Sequence, residues 1–244
     1  MKIIVADNYA AQCSTAADMI EELVRRKPDC RLGLATGSSP IGIYDELARR
    51  CKDEGLDFSR VSSVNLDEYI GLAPDHEQSY RHFMDENLFD RINIDKKNTY
   101  VAKGLGDAEA NLKEFRKLIA ERDTDIQLLG LGSDGHVGFN EPAETLFYSA
   151  HIESLHPSTI DANARFFSSR DEVPTSAITM GMGDIMQAKS LLLIISGSNK
   201  QAAAKKLLLE DWVTPACPVT FVKLHRDVTV VISRELADEI GYTN

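Results

Sequence analysis

The stretch SLLLIISGSNK at residues 190–200 decides the fold class. Its apolar run from Leu191 to Ile195 has no alternation of polar and apolar residues, which is typical of a strand covered on both faces. Small polar residues follow at once, and then comes the helix-forming run QAAAKKL at 201–207. A buried strand, a short turn and a helix form the repeating unit of a parallel α/β sheet.

The same order of elements recurs along the chain. Short apolar runs predict six strands, at residues 2–6, 31–35, 62–66, 125–131, 190–196 and 228–233. Amphipathic patterns between these runs predict helices, one of which follows Ser39 and Pro40, a good N-cap and first-turn pair. The sequence therefore predicts a doubly wound, mainly parallel α/β sheet of the Rossmann-like kind, with helices on both faces.

We expect one domain over residues 1–244, because no linker rich in Pro, Gly or Ser divides the chain. The segment at about 147–174 has the weakest periodicity. Long irregular segments within compact domains are often functional loops, so we predict a lid here. A surface helix with an obscured pattern is the alternative.

The composition limits the partners of the protein. Its 244 residues include 27 Lys and Arg against 38 Asp and Glu, a net charge of −11. This balance argues against nucleic acid as the main partner but allows a small anion in one local pocket. No apolar run approaches the roughly 18 residues of a membrane span, and the N-terminus does not resemble a signal peptide. The four cysteines lack metal-ligand spacing, so we expect reduced thiols and a cytoplasmic protein without a membrane partner.

Two predicted strand ends have residues suited to an anion. Thr36-Gly37-Ser38-Ser39 precedes a helix, where small residues, hydroxyl groups and free N–H groups can bind phosphate. The alternative is an ordinary helix cap. Lys200 follows the fifth predicted strand at the start of a helix, where its charge opposes the helix dipole unless an anion lies there. A solvated lysine is the alternative for this residue.

A third strand end has two adjacent carboxylates, Asp67 and Glu68. Either one can supply a general base at the carboxyl edge of the sheet. The alternative is a helix cap with an acid in the first turn, which would favour the helix dipole.

The glycine-rich segment at residues 130–142 follows a fourth strand and contains Asp134, His136 and Glu141. Its first six residues match GxGxxG, but Gly138 and the residues after it disfavour the helix that a dinucleotide site needs. The spacing of the three polar residues matches no standard zinc pattern. A histidine between carboxylates is held in one tautomer and kept basic, which indicates proton transfer.

Five motifs in this order resemble those of the glucosamine-6-phosphate deaminase family: LATGSSP at 34–40, NLDEY at 65–69, GHVGFNEP at 135–142, NARFF at 163–167 and SGSNK at 196–200. The resemblance covers nearly the whole chain. It implies the conversion of glucosamine 6-phosphate and water to fructose 6-phosphate and ammonia, without a metal or an organic cofactor.

Matching motif positions imply a role for each site residue. Asp67 would move a proton between C2 and C1, and His136 would assist opening of the sugar ring. Asp134 and Glu141 would orient and tune that imidazole. The phosphate group would bind to Thr36, Gly37, Ser38 and Ser39, with Arg165 and Lys200 as cations.

The sequence departs from the allosteric members of this family, because residues 144–153 are acidic where those members are basic. The chain also stops at Asn244, without their longer tail. We therefore expect a hyperbolic rate curve that N-acetylglucosamine 6-phosphate does not change. The oligomeric state stays open between a monomer and a homo-oligomer.

Three other functions remain as alternatives. A galactosamine-6-phosphate deaminase would differ only in its contacts with C4 of the sugar. A 6-phosphogluconolactonase resembles the chain around Asp134-Gly135-His136 but not in the residues that follow. A sugar-phosphate-sensing domain of a regulator would bind a ligand without turnover.

Overall fold

The structure is a computed structural model that describes residues 1–155, 160–161, 164 and 167–243. Its main sheet has seven strands: β1 (Lys2–Ala6), β2 (Arg31–Leu34), β3 (Ser62–Asn65), β5 (Thr99–Tyr100), β6 (Ile126–Gly130), β9 (Leu191–Ile195) and β10 (Val228–Ser233). All neighbouring strands are parallel, in the order β1-β10-β9-β6-β2-β3-β5. The predicted fold class and all six predicted strands are confirmed.

Helices connect these strands. The helices within the described residues are α1 (Tyr9–Arg26), α2 (Ile41–Glu54), α3 (Tyr80–Asn87), α4 (Ala108–Glu121), α5 (Met182–Met186), α6 (Gln201–Leu208) and α7 (Arg234–Ile240). The helix α2 begins one residue later than predicted. Pro40 occupies its N-cap position, so Ser39 lies outside the cap and belongs to the preceding turn.

Strand β9 shows why the deciding run of sequence lacks alternation. Leu192 and Ile194 pack into a core with α1 and α2 on one face of the sheet. Leu191, Leu193 and Ile195 pack with α4, α5, α6 and α7 on the other face. Because both faces are covered, every side chain of this strand is removed from water, which strongly favours its central position.

A second sheet of three short antiparallel strands lies outside the sequence prediction. It consists of β4 (Asp67–Tyr69), β8 (Ser176–Thr179) and β7 (His151–Ser154), in that order. β4 begins directly after β3 and places Asp67 opposite Thr179 of β8. β7 lies inside the segment at 147–174, so the first part of that segment contains a strand. The lid predicted for this segment stays a prediction.

All four cysteines have free thiols, and Cys13, Cys30 and Cys217 are buried. This agrees with the expectation of reduced thiols. None of the helices in the described part of the chain has the length and apolar character that crossing a bilayer requires.

A buried carboxylate joins three segments at the amino edge of the main sheet. Asp125, just before β6, accepts hydrogen bonds from Lys27 Nζ at 2.8 Å, Lys189 Nζ at 2.9 Å and the N–H group of Arg31 at 2.9 Å. Burial opposes ionisation of Asp125, but these three donors outweigh it and lower the pKa to about 2. Asp125 therefore stabilises the registry of β2, β6 and β9 in its charged form.

The Asp125→Asn variant should lower the free energy of unfolding by about 1–3 kcal/mol at pH 7, because two lysines and one N–H group lose a charged acceptor. The folded-state pKa lies below the ordinary value, so this stabilisation is present above about pH 4 and is lost as the pH falls through about 2. Denaturant unfolding at pH 7 and at pH 3 should show a smaller difference between the proteins at the lower pH.

The matched control is Glu114→Gln, which removes an exposed ion pair with Lys103. This control should change the free energy of unfolding by less than about 0.5 kcal/mol. Equal effects of the two substitutions would contradict a special role for Asp125.

Candidate active site

The site lies where the chain changes direction within the main sheet. β2 and β6 are neighbours, yet the chain continues from β2 through β3 to β5 at one edge and from β6 through β9 to β10 towards the other. The loops after β2 and β6 therefore diverge and leave a crevice beyond their carboxyl ends. The predicted site residues that the structure describes lie on the loops after β2, β3, β6 and β9.

The turn after β2 has the features of an anion site. Gly37 adopts a φ of +89°, a conformation that glycine adopts without strain. The backbone N–H groups of Gly37, Ser38 and Ser39 have no acceptor among the residues that the structure describes. Thr36 and Ser39 are half-buried and the two residues between them are exposed, so the turn is accessible to a ligand. These N–H groups and hydroxyl groups can bind phosphate oxygens.

Lys200 links two of the loops around the crevice. It is the last residue of a short 3-10 turn, Ser198–Lys200, and it precedes α6. Its Nζ donates a hydrogen bond to the carbonyl oxygen of Leu131, directly after β6. Burial lowers the pKa of Lys200, while the charge of Asp134 opposes that effect. The ammonium group therefore points toward the β6 loop and not into bulk solvent.

The loop after β6 brings together the predicted proton-transfer group. His136 Nδ1 lies 2.8 Å from Asp134 Oδ1 and 3.5 Å from Glu141 Oε2. Burial lowers the pKa of His136, but the contacts with Asp134 and Glu141 outweigh burial and raise it to about 9. The same contacts hold the pKa of Asp134 well below its usual range, against the effect of its burial. The imidazole is therefore protonated near neutral pH.

The carboxylate of Asp67 is buried at the start of β4. Only 6% of the residue is exposed. Burial and then the charge of Glu68 raise the pKa of Asp67 to about 8, and the charge of His136 partly opposes them. A carboxylate with a raised pKa is a stronger base when it is ionised, which suits proton abstraction.

Glu68 points away from the crevice and caps α3. Its Oε1 accepts hydrogen bonds from the N–H groups of Tyr69 and Tyr80, each at 2.9 Å, and its Oε2 accepts one from Arg81 at 2.9 Å. Burial raises the pKa of Glu68 to about 7, and these three N–H groups oppose the rise. Of the two adjacent carboxylates, Glu68 is thus the helix cap and Asp67 is free to act as the base.

The glycine-rich segment passes directly beside Asp67. Gly138 has a φ of +60°, and a Cβ atom here would lie 3.2 Å from both Asp67 Oδ2 and Thr179 Oγ1. Thr179 Oγ1 also accepts a hydrogen bond from the N–H group of Phe139 at 3.2 Å, and Asn140 Nδ2 donates to the carbonyl oxygen of Met180 at 2.8 Å. These bonds attach the segment to β8 and place its histidine and Asp67 in one region.

Two further predictions concern ligands. Residues 131–150 contain no helix, so the GxGxxG match lacks the context of a dinucleotide site, as predicted. Ligand atoms of Asp134, His136 and Glu141 lie within 4.8 Å of one another, a spacing that a metal ion could use. In this arrangement His136 Nδ1 lies beside both carboxylates, and the role of the histidine in proton transfer stays a prediction.

Some residues of the site differ from the sequence prediction or lie beyond it. Arg165, the second predicted cation, lies outside the described residues. Thr179 and Tyr9, which contacts the turn after β2, were not predicted, because they are distant in sequence from the strand ends that they contact. Glu68 forms the helix cap that the sequence offers as an alternative for the two carboxylates, because sequence alone does not tell which of the two forms it.

Fold and site together define a class of protein. A turn with unpaired N–H groups follows β2, and a histidine beside two carboxylates follows the neighbouring strand β6, within the part of the chain that the structure describes. This arrangement at the switch point of a parallel sheet suits an enzyme for a small phosphorylated substrate. The sequence profile of a family described as glucosamine-6-phosphate isomerases/6-phosphogluconolactonase matches residues 6–231. The chain belongs to this family.

Individual relatives are similar over almost their whole length. Glucosamine-6-phosphate deaminase of Clostridium perfringens (strain 13 / Type A) is 47% identical over 239 residues, which cover 97% of this chain and 98% of that protein. The protein of the same name from Lachnoclostridium phytofermentans is 50% identical over 233 residues, which cover 95% and 98%.

Solved structures agree with the fold. A structure described as a monomeric glucosamine-6-phosphate deaminase has a TM-score of 0.93 at 40% identity and covers 98% of this chain and 99% of its own. The 6-phosphogluconolactonase from Leishmania guyanensis has a TM-score of 0.77 at 19% identity, with coverage of 100% and 99%. This second similarity concerns the fold alone.

The Asp134→Asn variant should lower the pKa of His136 from about 9 toward its ordinary value of about 6.5, because the imidazolium loses its nearest negative charge. The folded-state pKa is raised, so protonation of His136 stabilises the fold below about pH 6.5, and this contribution is lost as the pH rises through about 9. NMR titration of isotope-labelled histidine checks the shift, with His136→Gln to assign the signal.

Asp53→Asn on the exposed surface of α2 is the matched control for this titration. It should leave the pKa of His136 unchanged. If Asp134→Asn also leaves that pKa unchanged, the contact with Asp134 does not set the protonation of the histidine.

Proposed function

We propose that this chain converts glucosamine 6-phosphate and water to fructose 6-phosphate and ammonia. Relatives at 42–50% identity that span nearly the whole chain are named for this activity, and so is a solved structure with a TM-score of 0.93. The reaction needs a base at C2, a proton donor for the ring oxygen and a group that binds phosphate. The crevice beyond β2 and β6 offers candidates for all three.

The position of Asp67 is the observation that supports this function most directly. Its buried carboxylate lies beside the backbone of Gly138, in the field of the protonated His136. In our proposal, Asp67 removes the proton from C2 of the open-chain sugar and returns it to C1. The ammonium group of the substrate at C2 would favour the ionised carboxylate and so offset the effect of burial on its pKa.

We assign ring opening to His136. The protonated imidazole would donate a proton to the ring oxygen as the bond from that oxygen to C1 breaks. The neutral imidazole would then accept the proton of the C1 hydroxyl group, which leaves the C1 aldehyde and restores the imidazolium. Asp134 and Glu141, at 2.8 and 3.5 Å from Nδ1, would hold the ring in place and keep it protonated. After the proton shift, water adds to C2 and ammonia leaves, so that the atoms of sugar, water and products balance.

The phosphate end of the substrate would bind to Thr36, Gly37, Ser38 and Ser39. We further assign Lys200 and Arg165 as cations near this group; Lys200 already lies beside the β6 loop. Binding energy from a phosphate remote from C1 and C2 can hold the reacting carbons in position without changing during the reaction.

The compartment and the preferred sugar are finer parts of the proposal. Four free thiols agree with the reducing cytoplasm. Glucosamine 6-phosphate is the first candidate, and galactosamine 6-phosphate remains the alternative substrate for the same chemistry. A sugar-phosphate sensor would bind these compounds without turnover.

An assay of purified protein in excess chelator tests the proposed function. We expect ammonia and fructose 6-phosphate to form in equal amounts from glucosamine 6-phosphate. Galactosamine 6-phosphate and 6-phosphogluconolactone are run in parallel. Hydrolysis of the lactone, with no ammonia from either amino sugar, would contradict the proposal.

Asp67→Asn should lower kcat by about 10²–10⁴-fold, because a positioned base contributes that much to proton transfer. The fold should persist, since the amide replaces a carboxyl group of the same shape. Circular dichroism and the melting temperature check the fold, and steady-state kinetics checks the rate. Asp53→Asn, the same substitution at an exposed position, serves as the control. A turnover of Asp67→Asn close to that of the control would remove Asp67 from the role of base.

A further inference from the structure

Tyr9, the first residue of α1, contacts the turn that the phosphate would occupy. Its hydroxyl group lies 3.0 Å from the carbonyl oxygen of Ser39 and 3.3 Å from that of Ser38, and it can donate a hydrogen bond to them. The same oxygen accepts a hydrogen bond from the N–H group of Gly42, in the first turn of α2, at 3.1 Å. One hydroxyl group therefore connects α1, the turn after β2 and α2.

This contact controls the direction of the peptide groups in the turn. In a trans peptide the C=O group and the following N–H group point in opposite directions. The carbonyl of Ser38 faces Tyr9, so the N–H group of Ser39 faces away from it, and no described residue accepts a hydrogen bond from that group. The carbonyl of Ser39 precedes Pro40, which has no N–H group to orient.

The ring of Tyr9 packs close to Gly42 of α2, while part of the residue is exposed at the surface. A Cβ atom at Gly42 would lie 2.6 Å from Cys13 Sγ and 3.0 Å from Tyr9 Cε1, so α1 and α2 approach closely at this glycine. Burial raises the pKa of Tyr9 to about 12, which keeps the hydroxyl group protonated and able to donate. Yet 42% of the residue is exposed, so removal of the oxygen leaves no buried cavity.

A second tyrosine holds the other end of the same turn. Tyr44 of α2 is fully buried, and its hydroxyl group donates to the carbonyl oxygen of Ala35 and accepts from the N–H group of Ala35 at 3.2 Å. The turn between Ala35 and Pro40 is thus anchored at both ends. Its middle, with Gly37 at positive φ, remains open toward the crevice.

We propose that Tyr9 is a positioning residue for phosphate binding. Its hydroxyl group binds the back of the turn and keeps the N–H group of Ser39 directed away from α1, on the side where the ligand would bind. Tyr9 does not touch the substrate in this proposal. The proposal rests on the assignment of the phosphate group to residues 36–39 under the proposed function, and it extends that function to the residue that pre-organises the site.

Tyr9→Phe tests this role, because it removes the hydroxyl group and keeps the ring. We expect the KM for glucosamine 6-phosphate to rise about tenfold, as expected for the loss of one hydrogen bond, with kcat within about twofold of wild type. The inhibition constant of inorganic phosphate should rise by the same factor. Tyr100→Phe, at an exposed position on β5, is the matched control and should change none of these constants.

The outcomes separate the proposal from a structural effect and from the proposed function. A lower kcat with unchanged KM and unchanged phosphate inhibition would overturn the role of Tyr9, because it would indicate a loss of folded enzyme instead. Equal constants for Tyr9→Phe and wild type would overturn it as well.

If wild-type protein forms no fructose 6-phosphate, the proposed function fails and Tyr9 is judged by calorimetry with inorganic phosphate alone. A weaker affinity in Tyr9→Phe than in Tyr100→Phe would still support its role. Equal affinities, or no binding to wild type, would refute it.

Discussion

The divergence of the chain at β2 and β6 is the constraint on which the rest of the site depends. The strands that follow β2 and β6 in the chain lie on opposite sides of this pair, and in open α/β sheets a ligand crevice forms at such a switch point. The turn proposed to bind phosphate follows β2, and the segment proposed to transfer protons follows β6. Lys200, on the loop after β9, bonds to the β6 loop and so encloses the same crevice.

Burial of charge is the second physical theme of the site. Asp67 and His136 both have raised pKa values. Burial and the charge of Glu68 raise the pKa of Asp67, whereas the contacts with Asp134 and Glu141 raise that of His136 against the effect of burial. The cap on α3 removes Glu68 from the chemistry while leaving its charge beside Asp67. In the proposed mechanism, the charge of the cationic substrate favours the ionised form of Asp67, and Asp67 and the protonated His136 then accept and donate protons near neutral pH.

The sequence predicted six of the seven strands of the main sheet, and the reason is physical. β9 is covered on both faces, and its continuous apolar run reflects that burial, whereas β5 has only two residues. By contrast, β4, β7 and β8 have three or four residues each, and β4 pairs with β8 across more than a hundred residues, so no local pattern indicates them. The short segments after parallel strands point to Asp67 and His136 as site candidates, and their roles stay predictions. The contact of Tyr9 with Ser39 joins positions thirty residues apart, and only packing of α1 on α2 brings them together.

A crystal structure of the protein with fructose 6-phosphate, the product, is the most direct test of this account. The central claim is that one crevice binds the phosphate on the turn after β2 and presents C1 and C2 of the sugar to Asp67. We expect phosphate oxygens within hydrogen-bond distance of the N–H groups of Gly37, Ser38 and Ser39, and C1 and C2 beside the Asp67 carboxylate. A phosphate bound elsewhere, or a sugar whose C1 and C2 lie out of reach of Asp67, would contradict the account.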